Sequence, residues 1–386
     1  MQYNRGSGSR KHTQKSILGI GSSVLVLLAL LIAFIFMPHS SESDNPRTMD
    51  SPAQASGQQT MQPLEQEPAE TIEYGFKVYF IDVGQADSAL VVCDGKAMLI
   101  DGGNAADSDL IYSFLKNHNI THLDYIVATH AHEDHIGGLA GALNYATVGV
   151  AYCPVTDDSS KVFGNFVKYL DKQDVSITVP THGNRFKLGS ADVLIVGPIK
   201  QDNDTNNSSI VLKITYGDKS FLYTGDAERP AEQDILDAGY DISATVLKVG
   251  HHGSDTSTIY PFLREIMPQY AVISCGKDNI YGHPHDDLLS RLRDANVTVF
   301  RTDLQGTIVC TSDGKTVSFT TDQNTDIPTN PAEPPMEEDF YYGNTNSKKF
   351  HRPSCSGLPS EQNQVVFDSR EEALRQGYEP CGRCKP

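Results

Sequence analysis

The run Thr129-His130-Ala131-His132-Glu133-Asp134-His135-Ile136-Gly137-Gly138 directly follows the apolar stretch at 123–128, and this junction constrains the fold more than any other feature. A short apolar run bounded by polar punctuation reads as a buried strand, and the Gly-Gly pair marks a sharp change of direction. The polar cluster therefore sits at a strand's C-terminal end, where α/β proteins carry their chemistry. His130 and His132 point the same way on an extended chain, with Asp134 and His135 a turn further on. Neutral imidazole and carboxylate are ligands of zinc and manganese. A solvated loop accounts for a single histidine but not for His-x-His-x-Asp-His after a strand, so the cluster reads as a metal site.

At 386 residues the chain holds one domain of ordinary enzyme size plus appendages. A formal charge of −18 and the absence of Trp argue against a broad basic face for duplex DNA. A nuclease stays open, because bound divalent cations neutralise phosphates locally. Residues 17–37 form an uncharged apolar run long enough to span a bilayer. Arg5, Arg10, Lys11 and Lys15 precede it, and Glu42 and Asp44 follow it. The expected layout is a cytoplasmic tail (1–16), a single-pass signal anchor (17–37) and an extracytoplasmic remainder in the cell membrane. A cleaved signal peptide is the rival, but Phe36-Met37-Pro38-His39 is a poor cleavage site.

Residues 38–72 are rich in Pro, Gln, Ser and Glu and read as a disordered linker, and 323–339 read as a second one. Between them strands and single helices alternate, with Asp94-Gly95 as a hairpin signal. Expected strands lie at 76–83, 89–93, 97–100, 148–153, 176–179, 191–196, 209–216, 220–223, 244–249, 270–274, 297–301, 306–310 and 316–320. Expected helices lie at 109–118, 162–172, 231–238, 260–266 and 287–295. This pattern suggests two packed sheets with helices outside. Cys93, Cys153, Cys275 and Cys310 lie in apolar, strand-like contexts and read as buried thiols.

Further ligands come from later strand ends. Phe221-Leu222-Tyr223-Thr224-Gly225-Asp226 can carry a carboxylate to the cluster. An Asp there can bridge two cations roughly 3.5–4 Å apart, as two-metal hydrolysis needs. Val246-Leu247-Lys248-Val249-Gly250-His251-His252-Gly253-Ser254 again ends a strand in imidazoles, and Tyr281-Gly282-His283-Pro284-His285 opens a loop before a helix.

These motifs resemble the metallo-β-lactamase superfamily. With Phe80-Ile81-Asp82-Val83-Gly84-Gln85-Ala86-Asp87-Ser88 the resemblance narrows to the hydrolase domain of ComEC-type competence proteins. It covers residues 76–321 and implies an αββα sandwich with a dinuclear zinc or manganese site. His130 and His132 would bind the first metal, Asp134 and His135 the second, and Asp226 would bridge them. The last ligand would be His283 or His251. Asp134 would orient the nucleophile, with His251, His252 or His285 protonating the leaving oxygen. Asp82, Asp87 and Asp101 would orient ligands from behind. The chain departs from the commoner pattern at Asn206-Asn207-Ser208-Ser209, where a further His is expected.

Near the C-terminus His351 and Cys355 precede a helix opened by Ser369-Arg370-Glu371-Glu372, and Cys381 and Cys384 follow it. One His and three Cys suit a closed structural zinc site that so small a unit needs to fold. One disulfide with a spare thiol is the alternative. Residues 340–386 resemble the metal-binding modules related to the Ada DNA-repair protein. That resemblance implies a nucleic-acid contact, with Lys348, Lys349, Arg352, Arg370, Arg375 and Arg383 as phosphate partners; a purely structural tail is the alternative.

The expected function is that of a membrane-anchored, outward-facing metal-dependent phosphodiesterase acting on DNA, single-stranded for preference, in uptake or competence. Its rivals are a cell-surface phosphodiesterase on teichoic-acid or phospholipid head groups and a non-catalytic DNA-binding accessory protein.

Overall fold

The structure, a computed structural model, describes residues 75–331 and 338–386. The cytoplasmic tail, anchor and linker expected over 1–72 lie outside them, and among the described residues no helix is long and apolar enough to cross a membrane.

Period-two patterning builds the centre of the molecule. In the strand Phe76–Phe80, Phe76, Val78 and Phe80 face one way and Tyr79 the other, as the pleat requires. Ala191–Gly197 does the same, sending Val193 and Ile195 inward and Leu194 and Val196 outward. The inward set meets Leu212, Ile214, Phe221 and Tyr223 in a core between two sheets. Each fully buried Val, Ile, Leu or Phe there contributes about 1.5–3 kcal/mol.

The first sheet runs in the order Val317–Thr321, Ile308–Ser312, Phe76–Phe80, Ala89–Cys93, Lys96–Ile100, His122–Val127, Thr147–Tyr152, Ile177–Thr178. The second runs Thr298–Arg301, Tyr270–Ile273, Val246–Lys248, Lys219–Tyr223, Val211–Tyr216, Ala191–Gly197, Arg185–Leu188. Helices Ser108–Asn117, Leu139–Tyr145 and Lys161–Asp171 cover the first sheet through Ile111, Leu115, Leu139, Phe163 and Phe166. Helices Arg229–Ala238, Tyr260–Ile266 and Asp286–Asp294 cover the second through Ile235, Phe262, Leu263, Leu288 and Leu292. The result is an αββα sandwich. Each sheet is antiparallel on one side and parallel on the other. Parallel neighbours end at the same edge, and those edges hold the histidine-bearing turns.

The helix Leu139–Tyr145 was not expected from the sequence. It crosses Ser108–Asn117 so closely that a Cβ on Gly141 would lie 1.9 Å from the Ser108 carbonyl oxygen. The glycine that weakens the helical signal is what permits the packing.

The C-terminal residues form a four-stranded sheet in the order Gln364–Phe367, Tyr341–Asn344, Lys349–His351, Glu379–Pro380, with one helix, Arg370–Arg375. Ser369 caps that helix by accepting the Glu372 N–H at 3.1 Å, and Gly377 follows it with φ 81°. Tyr341, Phe350, Phe367, Ala373 and Tyr378 make its small core. The unit is docked on the sandwich: Arg370 Nη2 lies 2.5 Å from Asp294 Oδ2, and Lys385 Nζ lies 3.0 Å from Asp287 Oδ1. The stretch before it is pinned too, Thr329 donating to the Val299 carbonyl at 2.6 Å and Asn330 to that of Leu289 at 2.9 Å.

Candidate metal centre

Strand register assembles the centre. Ile100 pairs with Val127, so Asp101, next along one strand, arrives beside Thr129, just past the end of the other. Thr129 gives Asp101 both its backbone N–H (2.8 Å) and its hydroxyl (2.7 Å), and Asp101 Oδ2 faces His135 Nδ1 at 2.8 Å. Across the sandwich, Tyr223 pairs with Lys248, which brings Asp226 level with the turn His251–Gly253.

Asp226 Oδ2 is the focus. Nε2 of His135 lies 3.2 Å from it, Nε2 of His252 3.6 Å, and Nε2 of His130 and His251 3.9 Å each. His252 Nε2 is also 3.3 Å from Asp134 Oδ2. His132, exposed at the rim, turns Nδ1 to His130 Nε2 at 3.1 Å. Ligand atoms of His130, His135 and Asp226 lie within 4.8 Å of one another, as do those of Asp134, His135 and His252. The buried atoms Asp226 Oδ1, His135 Nε2 and His252 Nε2 have no hydrogen-bond partner among the described residues. Unsatisfied buried donors and acceptors carry a cost that a bound cation removes. The donor set thus fits divalent metal.

The ring orientations are fixed from behind. His252 Nδ1 meets the Ser274 carbonyl at 3.1 Å, and His130 Nδ1 meets the hydroxyls of Thr129 (3.2 Å) and Ser209 (3.4 Å). With Nδ1 engaged, each imidazole presents Nε2 to the centre. Burial pushes the His130 pKa well below the usual imidazole range. Burial also opposes charge on His135, but Asp226 and Asp101 outweigh it and hold that pKa well above the usual value. Burial would raise Asp226 and Asp134; the neighbouring His135 and His252 overcome it and hold both carboxyls below the usual range.

The structure redistributes the later histidines. The sequence left the last ligand between His251 and His283 and the proton donor among His251, His252 and His285. His251 and His252 both have left-handed backbone, with φ 50° and 53°, and both turn Nε2 toward Asp226. His252 is the buried one, facing Asp134 and Asp226. His251 is partly exposed, its Nδ1 3.0 Å from Glu228 Oε1. His283 turns Nδ1 to Gln85 Nε2 at 3.3 Å, and burial and the nearby His252 push its pKa down to about 4. His285 accepts the Asp255 N–H at 3.0 Å, away from Asp226.

The segment where a further histidine was expected supports the centre in another way. Asn206–Ser208 is a single turn, and Ser209 Oγ beyond it accepts the Asp226 N–H at 3.0 Å. Asn207 Oδ1 accepts the Glu228 N–H at 3.2 Å, and Asn206 Nδ2 reaches Glu228 Oε1 at 3.5 Å. The polar stretch therefore sets Glu228, and Glu228 sets His251. Asp82 accepts the Gly84 N–H in its own turn at 3.1 Å, whereas Asp87 pairs with Lys248 at 2.7 Å, both buried. Glu228 and Lys248 were not singled out from the sequence, and Ser209 only as part of a stretch lacking a histidine; a lysine inside an apolar central strand was the available sign of a buried ion pair.

In the C-terminal unit the ligand atoms of His351, Cys355, Cys381 and Cys384 lie within 4.8 Å of one another, with His351 Nδ1 3.5 Å from Cys355 Sγ. All seven cysteines are free, so the disulfide alternative is not what the structure holds. One imidazole and three thiols in that space fit a tetrahedral zinc ion.

A profile of the metallo-beta-lactamase superfamily matches residues 81–277, just over half of the 386-residue chain. The chain belongs to the metallo-beta-lactamase superfamily. A second profile, the metal binding domain of Ada, matches residues 331–386. Within the superfamily the chain is 32% identical over 251 residues to ComE operon protein 3 of Bacillus subtilis, covering 60% of this chain and 32% of that protein. It is 30% identical over 230 residues to Competence protein ComA of Neisseria gonorrhoeae, covering 59% and 31%. Its C-terminal part is 42% identical over 48 residues to the bifunctional transcriptional activator/DNA repair enzyme AdaA of Bacillus subtilis, 12% of this chain and 23% of that protein. The chain spans about a third of the length of the two competence relatives. The superfamily, the competence-type relatives and the Ada domain read from the motifs are all borne out, and with them a metal-dependent hydrolase fold.

Proposed function

We propose that this chain is a membrane-anchored, outward-facing phosphodiesterase that cleaves DNA, single strands for preference, in competence or DNA uptake. The observation that carries the hydrolytic reading is the convergence of four imidazoles on Asp226 Oδ2, with buried nitrogen and oxygen atoms left without partners. The DNA reading is supported by relatives whose names concern competence and by the Ada domain.

His130 and His132 would hold one divalent cation, and Asp134, His135 and His252 a second, with Asp226 facing both; zinc or manganese suits these donors. Bound cations of this kind bring the pKa of water to near neutrality and offset charge on a phosphoryl oxygen. The protein's own groups divide the remaining work. Asp134 stays ionised and accepts a proton-bearing nucleophile. Asp101 and the Ser274 carbonyl hold His135 and His252 in the tautomers that turn Nε2 inward. His251, with Nδ1 on Glu228 and Nε2 toward the centre, is placed to protonate the departing oxygen. His351, Cys355, Cys381 and Cys384 would hold a structural zinc.

The test offers the zinc- or manganese-loaded chain single-stranded DNA, duplex DNA and bis(p-nitrophenyl) phosphate. Cleavage of single strands and of the small diester is expected. Turnover of the small diester with DNA untouched transfers the assignment to teichoic-acid or phospholipid head groups. No turnover of any diester, with His132→Ala unchanged in metal content, defeats the enzyme reading and leaves a DNA-binding accessory protein.

A further inference from the structure

A cleft of about 400 Å³ lies where the C-terminal unit meets the helices over the second sheet. Arg229, Arg291, Arg293, Lys349, Arg370 and Lys385 line it, against the carboxylates of Asp255, Asp287 and Glu379. With Asp294 behind Arg293 and Arg370 the count is six cations against four acids, the reverse of the balance in a chain whose formal charge is −18.

Some of these cations are committed. Asp294 holds both Arg370 and Arg293, and Glu379 holds Lys349 at 3.0 Å; Lys385, its side chain 67% exposed, makes only a surface pair with Asp287 at 3.0 Å and is free to exchange it for a phosphate. Two make no ion pair. Arg229 is exposed, and among the described residues no carboxylate lies within ion-pair distance of it. Arg291 is only 7% exposed. Its Nη2 donates to the carbonyls of Asp255 (3.1 Å) and Ser257 (2.9 Å), and its Nε meets no acceptor. Glu232, Asp287 and Asp255 lie near enough to act on its charge, but none forms an ion pair with it, so the guanidinium is kept nearly buried with a donor to spare. Such a group suits an anion, and a planar fork suits phosphate oxygens.

The cleft adjoins the metal centre. Arg229 donates its backbone N–H to Thr256 at 3.0 Å, and its neighbour Glu228 holds His251. Asp255, on the cleft wall, faces His285 Nδ1 at 3.3 Å. The cleft wall is thus one residue or one contact away from His251 and His285. The volume is that of a small-ligand site, enough for about one or two units of a single strand.

We infer that this cleft grips the phosphate backbone of a single phosphodiester strand, one or two units away from the bond that lies at the metal centre. The inference rests on the phosphodiesterase reading above, yet its binding arm is read without turnover. The full metal-loaded chain is titrated by fluorescence anisotropy with a labelled twelve-residue oligothymidylate, a duplex of equal length and a labelled glycerol-phosphate oligomer. The variant R229A/K385A weakens single-strand affinity about tenfold and lowers the salt slope by about 1.4, two contacts at about 0.7 each. Hydrolysis of bis(p-nitrophenyl) phosphate stays at the wild-type rate. Should the double variant lose zinc, Arg229→Glu alone, remote from the cysteines in sequence, gives the same reading. Loss of glycerol-phosphate binding in place of oligothymidylate binding keeps the cleft and changes the source of its strand. Unchanged affinity in the variants, or no binding of either strand by the wild type, overturns the inference. A wild type that binds but hydrolyses no diester defeats only the function proposed above.

Discussion

Asp101 Oδ2 lies 2.8 Å from His135 Nδ1 and 2.7 Å from the Thr129 hydroxyl, so one buried carboxylate fixes both a ligand's tautomer and the strand end that carries His130. Asp101 has φ 58°, which asparagine tolerates. In Asp101→Asn an amide N–H₂ facing His135 moves that ring's proton to Nε2, where the lone pair for a metal is needed. Metal affinity falls roughly 10–100-fold while the fold is kept. Metal content against a competing chelator, alongside circular dichroism, checks this; a variant that retains metal as the wild type does contradicts it.

Lys248 and Asp87 form a pair 2.7 Å apart, each with a side chain only about a twentieth exposed. Removing one partner strands a buried charge, so Lys248→Met costs about 3–5 kcal/mol. Asp87→Asn with Lys248→Met recovers part of that loss. Urea unfolding of the single and double variants measures the coupling, and additive losses would show that the pair is not linked.

Glu232 is fully buried, and burial pushes its pKa up to about 7, against backbone N–H donors at Thr258 and Ile259. The folded chain therefore holds this proton more tightly than the unfolded chain, whose carboxyl titrates near the ordinary value of 4.5. Stability is lost as pH rises from that value through about 7, and no further loss follows above it. Between pH 5 and 8 the stability of the wild type relative to Glu232→Gln falls by about 2–3 kcal/mol. Denaturation curves for both proteins at the two pH values read this difference, and a constant gap rules the linkage out.

Cys93, Cys153, Cys275 and Cys310 are buried in the sandwich, and burial pushes the Cys153 and Cys310 thiols up to about 12. They do not react with a thiol reagent at pH 8 while the protein is folded. Cys355, Cys381 and Cys384 become reactive once a chelator removes zinc. Thiol titration before and after chelation therefore rises by three, the count of the module's cysteines. A rise of none would mean that no metal protects them.

What could be read from the sequence followed the strength of local signals. The strand before His130 and the spacing His-x-His-x-Asp-His were legible because apolar periodicity and ligand chemistry agree there. The helix Leu139–Tyr145 was hidden by Gly137, Gly138 and Gly141, which serve tertiary contact rather than helix propensity. The strand Arg185–Leu188 was hidden because it is a polar sheet edge. That two adjacent histidines both reach the centre, one buried and one at its mouth, depends on two left-handed backbone angles, and His-His-Gly encodes no such arrangement visibly. Arg370 read as a phosphate contact, yet Asp294 takes its guanidinium, a pairing 76 residues apart that no local pattern reports.

That pairing decides how the molecule can be taken apart. Asp294, 4% exposed at its side chain, also accepts the Tyr260 hydroxyl at 2.8 Å, and Arg370 closes over both. Along the chain the two matched families look like beads on a string; in space they share a lip. Cutting between them would not liberate an intact hydrolase but would unroof an acidic notch and open the wall that Arg291 helps to form. Activity measured on such a fragment would describe a different surface from the one the whole protein presents.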